Sequence, residues 1–152
     1  MKLFAELGHA VTGLDISPVA IQAAAAFGKT VMADIESAPW PLMDGIQVRQ
    51  FDAVVVTNYL WRPLFARIVD CLAPHAVLIY ETFAEGNEKL GKPSRPDFLL
   101  SRGELLTVFG NLQLVAFEEG FLDAPPRCVQ RIAAVRPGPP DGNGRPRGHY
   151  PL

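Results

Sequence analysis

The segment that decides the fold class is Val11-Thr-Gly-Leu-Asp15-Ile-Ser-Pro18. Its apolar run ends at the carboxylate of Asp15, and a helix is expected to follow, because serine caps helices and proline suits their first turn. Open α/β sheets use a strand that ends in an acid to bind the two hydroxyls of a nucleoside ribose. The segment therefore predicts an α/β fold and a nucleoside-containing cofactor.

Length and composition limit the remaining choices. The chain has 152 residues, of which 49% are hydrophobic and 20% are charged, so one domain with a buried core is expected. The net charge of -2 and the pI near 5.9 give no support for binding to nucleic acid or to an anionic membrane. No apolar run is long enough for a membrane span, and the N-terminus lacks the pattern of a signal peptide.

The two cysteines are interpreted as buried thiols. Cys71 and Cys128 are far apart, and neither has a histidine or cysteine nearby at the spacing of metal ligands. No metal site is predicted, and free thiols favour a cytoplasmic location.

The first half of the chain alternates between strands and helices. Gly8 is expected to end a first helix, and a strand is predicted over residues 10–15. A helix from Pro18 to Phe27 should end at Gly28, before a second strand over 30–34. The apolar run at 51–56 is typical of a parallel strand covered on both faces. Pro63 should then open a helix with one apolar face, formed by Leu64, Phe65, Ile68, Val69 and Leu72.

The second half predicts a different ending to the sheet. A buried strand over 76–83 is followed by a long loop at 84–100, interpreted as a mobile lid beside the acceptor. Ser101-Arg-Gly-Glu104 matches a capping box for a helix whose buried face is Leu105, Leu106 and Phe109. Strands over 112–118 and 128–135 should pair antiparallel, because the link between them is short. Residues 1–136 are expected to form the domain, and 137–152 a disordered tail.

Four stretches together resemble the class I S-adenosylmethionine-dependent methyltransferases. They are Val11–Pro18, Ala33-Asp34-Ile35, Phe51-Asp-Ala-Val-Val-Val-Thr-Asn58-Tyr59, and Tyr80-Glu-Thr-Phe-Ala-Glu-Gly-Asn-Glu with the continuation at 96–100. Within that family the chain is most similar to the tellurite-resistance and thiopurine methyltransferase-like branch. The resemblance covers Met1 to about Arg136. It implies an incomplete Rossmann-like methyltransferase sheet, mostly parallel with an antiparallel C-terminal strand, and methyl transfer from S-adenosylmethionine to a small molecule.

The resemblance also implies roles for individual residues. Asp15, with Ile16, would bind the ribose hydroxyls, and Asp34 would lie near the adenine amino group, with the Ile35 backbone beside it. Asn58 would face the methyl donor. The substrate-side residues would be Tyr59, Trp61, Glu81 and Thr82. Structural interpretations compete with each role: Asp15 as a helix cap, Asp34 as a turn residue, Asn58 in a connecting loop, and the aromatic and strand residues as packing.

One motif of the family is missing from this sequence. The family's first strand is followed by a glycine-rich loop that holds the methionine end of the cofactor, yet only Met1–Gly8 precede the predicted strand at 10–15. We therefore expect an N-terminally truncated sheet, an irregular edge beside residues 10–15, and self-association with no activity for the 152-residue chain. Two explanations compete: either the start is assigned too late, or the chain is an inactive fragment or pseudoenzyme that acts as an interaction module. A nicotinamide dinucleotide-binding domain is a further alternative, which the terminal antiparallel pair and Thr57-Asn58-Tyr59 disfavour.

Overall fold

The computed structural model describes residues 1–139, so residues 140–152 of the predicted tail lie outside the described part. The chain divides into two compact units, one of Met1–Gln47 and one that begins at Val48. Whether residues 1–136 behave as one domain stays a prediction. Within residues 1–139 no helix is long and apolar enough to cross a bilayer.

The first unit begins with the predicted alternation. Helix α1 (Lys2–Glu6) precedes strand β1 (Thr12–Asp15), and helix α2 (Pro18–Ala24) leads through a 3₁₀ turn at Ala25–Phe27 to strand β2 (Lys29–Met32). The Ser17 hydroxyl accepts the N–H of Ala20 at 3.3 Å, which confirms the predicted cap. Gly28 has a φ of 147° and ends the helix, as predicted.

The sheet of the first unit has two strands only. β1 and β2 pair in parallel, with Thr12 opposite Lys29 and Asp15 opposite Met32, and among the described residues β1 has no strand on its other side. The one-sided pairing is compatible with the expected edge beside residues 10–15, and the truncation expected to cause it stays a prediction. No residue of Met1–Gln47 is fully buried, and several large apolar side chains are exposed there: Leu3, Leu7, Ile16, Val19, Met32, Met43 and Ile46. A short hairpin, β3 (Met43–Asp44) with β4 (Gln47–Val48), follows in the region predicted as a loop.

The second unit contains a four-stranded sheet in the order β5-β6-β8-β7. β5 (Phe51–Thr57) and β6 (Leu72–Phe83) are parallel, whereas β8 (Pro126–Val135) runs antiparallel to β6 and to β7 (Gln113–Asp123). The predicted α/β fold, with parallel strands followed by an antiparallel C-terminal strand, is confirmed.

The core of the second unit lies on one face of this sheet. Leu78, Tyr80 and Ile132 are buried there, together with Phe65 of helix α3 (Phe65–Asp70) and Phe109, which follows helix α4 (Glu104–Val108). The rings of these aromatic residues pack tightly, with centroids 5.6 Å apart for Phe65–Phe109 and 6.1 Å for Phe65–Tyr80.

The opposite face of the sheet is partly open to solvent. Val55 is 42% exposed and its cross-strand partner Ile79 is 39% exposed, so the prediction that β5 is covered on both faces is wrong. Leu106, at 38% exposure, does not belong to the buried face of α4 either. Helices α3 and α4 cover only the face that carries Leu78 and Tyr80.

Only half of the predicted capping box forms at α4. Glu104 accepts the N–H of Ser101 at 2.9 Å, but the helix begins at Glu104 because Gly103 takes a left-handed φ of 65° at the cap position. Glu104 also binds Arg62 through two hydrogen bonds of 2.7 and 2.9 Å. Burial acts to raise the pKa of Glu104, but the bonds from Arg62 and Ser101 outweigh it and hold the pKa below its ordinary value.

This lowered pKa predicts a pH-dependent contribution to stability. Replacing Glu104 by glutamine should reduce the free energy of unfolding by about 1–2 kcal/mol at neutral pH, because the bonds to Arg62 are charge-assisted and partly shielded. The contribution of a carboxylate with a depressed pKa is present above its unfolded pKa and lost as the pH falls through the folded one. Urea denaturation should therefore show a smaller difference from wild type at pH 3 than at pH 7. Asp97→Asn, which removes an exposed ion pair with Arg95, is the control and should change little.

Candidate functional site

Asp15 lies at the carboxyl end of β1 with its side chain exposed. Its Oδ1 accepts the N–H of Ser17 at 2.8 Å, and among the described residues no hydrogen bond reaches Oδ2. The carboxylate thus closes the turn into α2 and still has an oxygen available for a ligand. Ile16 follows it with an exposed side chain. The structural and the ligand-binding interpretations of Asp15 are compatible with each other.

Asp34 lies beyond β2 and is used locally. Its Oδ1 accepts the N–H groups of Glu36 and Ser37 at 3.0 and 3.3 Å, and its Oδ2 accepts the Ser37 hydroxyl at 2.5 Å. The hydroxyl of Ser37 and the Glu36 N–H lower the pKa of Asp34, so the carboxylate stays ionised. These bonds favour the turn interpretation of Asp34, and the adenine-side role of Asp34 and Ile35 stays a prediction.

The loop after β5 is fixed through its backbone. Asn58 has a φ of 54°, a left-handed conformation that asparagine tolerates better than most residues, and its N–H donates to the Glu81 carbonyl at 2.9 Å. The Tyr80 hydroxyl donates to the Tyr59 carbonyl at 2.8 Å. Burial raises the pKa of Tyr80 well above its usual range, so this hydroxyl remains a donor. Asn58 is therefore held in place at the end of β5.

A cavity of about 430 Å³ lies at the carboxyl ends of β5 and β6 in the second unit. It is formed by the ends of β5 and β6, the loop after β6, and the turn between β7 and β8. Its lining residues are Asn58, Glu81, Phe83, Asn87, Leu90, Gly91, Lys92, Pro125, Pro126 and Arg127. The carboxyl ends of parallel strands are the usual ligand-binding edge of an α/β sheet.

The cavity brings together two of the predicted site residues of this unit, Asn58 and Glu81. Tyr59, Trp61 and Thr82 are not part of its lining. Thr82 is almost completely buried, and alternation along β6 places it on the same face as Leu78 and Tyr80. The substrate-side roles of Tyr59, Trp61 and Thr82 therefore stay predictions.

Glu81 is shared between two arginines of β8. Its Oε2 binds Nε of Arg131 at 2.5 Å, whereas its Oε1 lies 3.5 Å from Arg127, a longer contact. Arg131 also binds Glu118 of β7 at 3.2 Å. Most of the negative charge of Glu81 is thus compensated by Arg131, because the shorter contact is the stronger one.

Three polar lining residues were not predicted as site residues: Asn87, Lys92 and Arg127. Asn87 is only 2% exposed, and its amide donates to the Pro93 carbonyl at 2.9 Å and accepts the Cys128 N–H at 3.2 Å. These bonds tie the loop after β6 to β8. The loop also contains 3₁₀ turns at Asn87–Lys89 and Pro96–Phe98, so it is more ordered than a plain connector, and its role as a lid stays a prediction.

Sequence comparisons identify no relative of this chain: no family model and no curated protein matches. Its structure does match solved structures. A SAM-dependent methyltransferase from Methanosarcina mazei has a TM-score of 0.63 at 16% identity, over 88% of this chain and 85% of that one. TehB from Haemophilus influenzae has a TM-score of 0.64 at 17% identity, over 87% of this chain and 51% of TehB.

A third match carries a ligand. The N-methyltransferase NodS from Bradyrhizobium japonicum, in complex with S-adenosyl-L-homocysteine, has a TM-score of 0.63 at 16% identity, over 84% of this chain and 67% of NodS. The [4+2]-cyclase SpnF is also among the matched structures, so this fold is not restricted to one reaction. At these identities the comparisons establish the fold, which is the α/β fold of SAM-dependent methyltransferases.

Proposed function

We propose that this chain belongs to a protein that transfers a methyl group from S-adenosylmethionine to a small-molecule acceptor. The observation that carries the proposal is the fold, which the chain shares with several methyltransferases over more than four fifths of its length. The motifs that resemble the tellurite-resistance and thiopurine methyltransferase-like branch, and the match to TehB, support that branch. Two free cysteines are consistent with the cytoplasm as its location.

The residues fit one end of the cofactor better than the other. Asp15 can accept hydrogen bonds from the ribose hydroxyls through its Oδ2, as the same position does in the family that the sequence resembles. No Gly-x-Gly segment occurs in residues 1–139, so the methionine end lacks its usual backbone loop in this part of the chain. When bound, the cofactor supplies a methyl group on a positively charged sulfur. At the ends of β5 and β6, Asn58 would face the methyl donor and Glu81 would lie on the acceptor side.

Asp15→Ala should weaken binding of S-adenosylhomocysteine by about 1.5–3 kcal/mol, the scale of hydrogen bonds to a charged group. Calorimetric titration would measure this, both with the 152-residue chain and with a version extended by the coding sequence upstream of Met1. Asp44→Ala, which removes another exposed carboxylate of the same unit, is the matched control. Equal affinities for wild type and Asp15→Ala would show that Asp15 only closes its turn.

We also propose that the 152-residue chain alone is inactive and pairs with itself. The support is the one-sided pairing of β1 and of β5, together with the exposed apolar side chains of the first unit. A strand supplied by another chain or by a longer form of the protein would satisfy these backbone groups. Light scattering and a methyl-transfer assay test this proposal, and a monomer that binds S-adenosylhomocysteine tightly would contradict it. Self-association with no cofactor binding in either form would favour an interaction module instead.

A further inference from the structure

We propose that the cavity of the second unit binds an acceptor that has an apolar body and one carboxylate group, which Arg127 and Lys92 recognise. The inference rests on the proposed methyl transfer, because it concerns the acceptor of that reaction. It adds a recognition group to the site. The carboxylate is the part of the acceptor that the protein binds, and it is not the group that is methylated.

Arg127 is the first reason for this inference. Its Nε is buried and has no hydrogen-bond partner among the described residues, and its contact with Glu81 is a long one of 3.5 Å. A buried N–H of a charged group without an acceptor is unfavourable. A guanidinium that turned towards the cavity would give Nε–H and one terminal N–H to the two oxygens of a carboxylate. The arginine therefore gains hydrogen bonds when such a ligand arrives.

The charge of the lining is the second reason. Lys92 and Arg127 are positive, and Glu81 is the one acidic residue in the lining. Glu81 makes its shorter ion pair with Arg131, which lies on the same strand as Arg127 and is itself shared with Glu118. The lining thus has an excess positive charge, which favours an anion over a cationic or neutral amine acceptor.

The remaining walls indicate the rest of the ligand. Phe83, Leu90, Pro125 and Pro126 are apolar, and the volume of about 430 Å³ is within the usual range for small-molecule sites. Asn58 contributes a polar amide to the lining directly after β5, at the strand edge that binds ligands in α/β sheets. An apolar ring or chain fits these walls while its carboxylate pairs with the cations.

The test compares two probes of equal shape, benzoate and the neutral benzamide, on the full 152-residue chain. Ligand-observed and ¹⁵N-detected arginine side-chain NMR would give their affinities and report on the Nε–H group of Arg127. We expect benzoate to bind about tenfold more tightly than benzamide, and Arg127→Gln to remove about that factor for benzoate only. Arg127→Lys keeps the charge but lacks Nε, so its affinity for benzoate should fall between those of wild type and Arg127→Gln. Arg95→Gln, which lies outside the lining and is paired with Asp97, should leave both affinities unchanged.

Several results would overturn the inference. Equal affinities for the two probes, no binding of benzoate, or an unchanged benzoate affinity in Arg127→Gln would each do so. An equal loss of both probes in that variant would show that Arg127 shapes the cavity without recognising charge. Because the probes need no cofactor, the outcome is separate from that of the S-adenosylhomocysteine titration. Cofactor binding without benzoate binding would refute this inference alone. Benzoate binding by an extended version that binds no S-adenosylhomocysteine would refute the proposed methyl transfer and would leave only a carboxylate-binding site.

Discussion

Replacing Phe109 by alanine should lower the free energy of unfolding of the second unit by about 3–5 kcal/mol, the largest effect expected for a single substitution here. Phe109 is 1% exposed, and its ring centroid lies 5.6 Å from that of Phe65 and 5.9 Å from that of Tyr80. Truncation removes these ring contacts and leaves a cavity between α3, α4 and β6 that the rigid sheet cannot close. Urea denaturation followed by far-UV circular dichroism measures the change.

The control for this substitution lies in the adjacent helix. Leu106→Ala removes an apolar side chain of α4 that is 38% exposed, and it should cost less than about 1 kcal/mol. Phe109→Leu should recover part of the loss, because leucine fills much of the cavity. A loss as large for Leu106→Ala as for Phe109→Ala would contradict the assignment of the core to the face that carries Tyr80.

Asn87→Ala should have the second largest effect, a loss of about 2–4 kcal/mol. The substitution leaves the Pro93 carbonyl and the Cys128 N–H without their partner, in a place where water has little access. The loop after β6 would separate from β8, so the cavity wall that carries Lys92 would lose its support. Denaturation gives the stability change, and hydrogen exchange of the Cys128 amide should become faster.

Asn111→Ala is the matched control for Asn87→Ala, because Asn111 is an exposed asparagine that lies just before β7 of the same sheet. It should change neither the stability nor the exchange rate of Cys128 by a measurable amount. If the Cys128 amide were equally protected in wild type and Asn87→Ala, the loop would be held by other contacts.

Local signals made most strands and helix starts predictable. Ser17-Pro18 and Gly28 fix their turns through the conformations of single residues, and the sequence shows these directly. Coverage by other elements is not local, which explains the error at β5. An apolar run such as 51–56 shows that a strand is suited to burial, but not whether a helix lies on each of its faces. Val55 is exposed because α3 and α4 pack on the other face.

The candidate site was predictable to a similar extent. Asp15 ends one predicted strand and Asn58 follows another, so their position at a ligand-binding edge could be inferred from sequence order. Arg127 could not, because it reaches the cavity only through the register of the β7–β8 hairpin, with Leu122 opposite Arg127. The partners of Asn87 are 6 and 41 residues away along the chain, and no local pattern indicates the longer contact.

The position of β8 in the sheet has a consequence for how the protein is made. β8 is the last described strand in sequence, yet it lies between β6 and β7 and is the neighbour through which they join. During synthesis on the ribosome, β6 and β7 emerge first. The edge of each strand that will pair with β8 has no partner until residues 126–135 follow. The sheet therefore assembles late and through contacts distant in sequence, which favours slow folding. Nascent chains that stop within β8 would expose two unpaired strand edges, so they should be efficient substrates for chaperones.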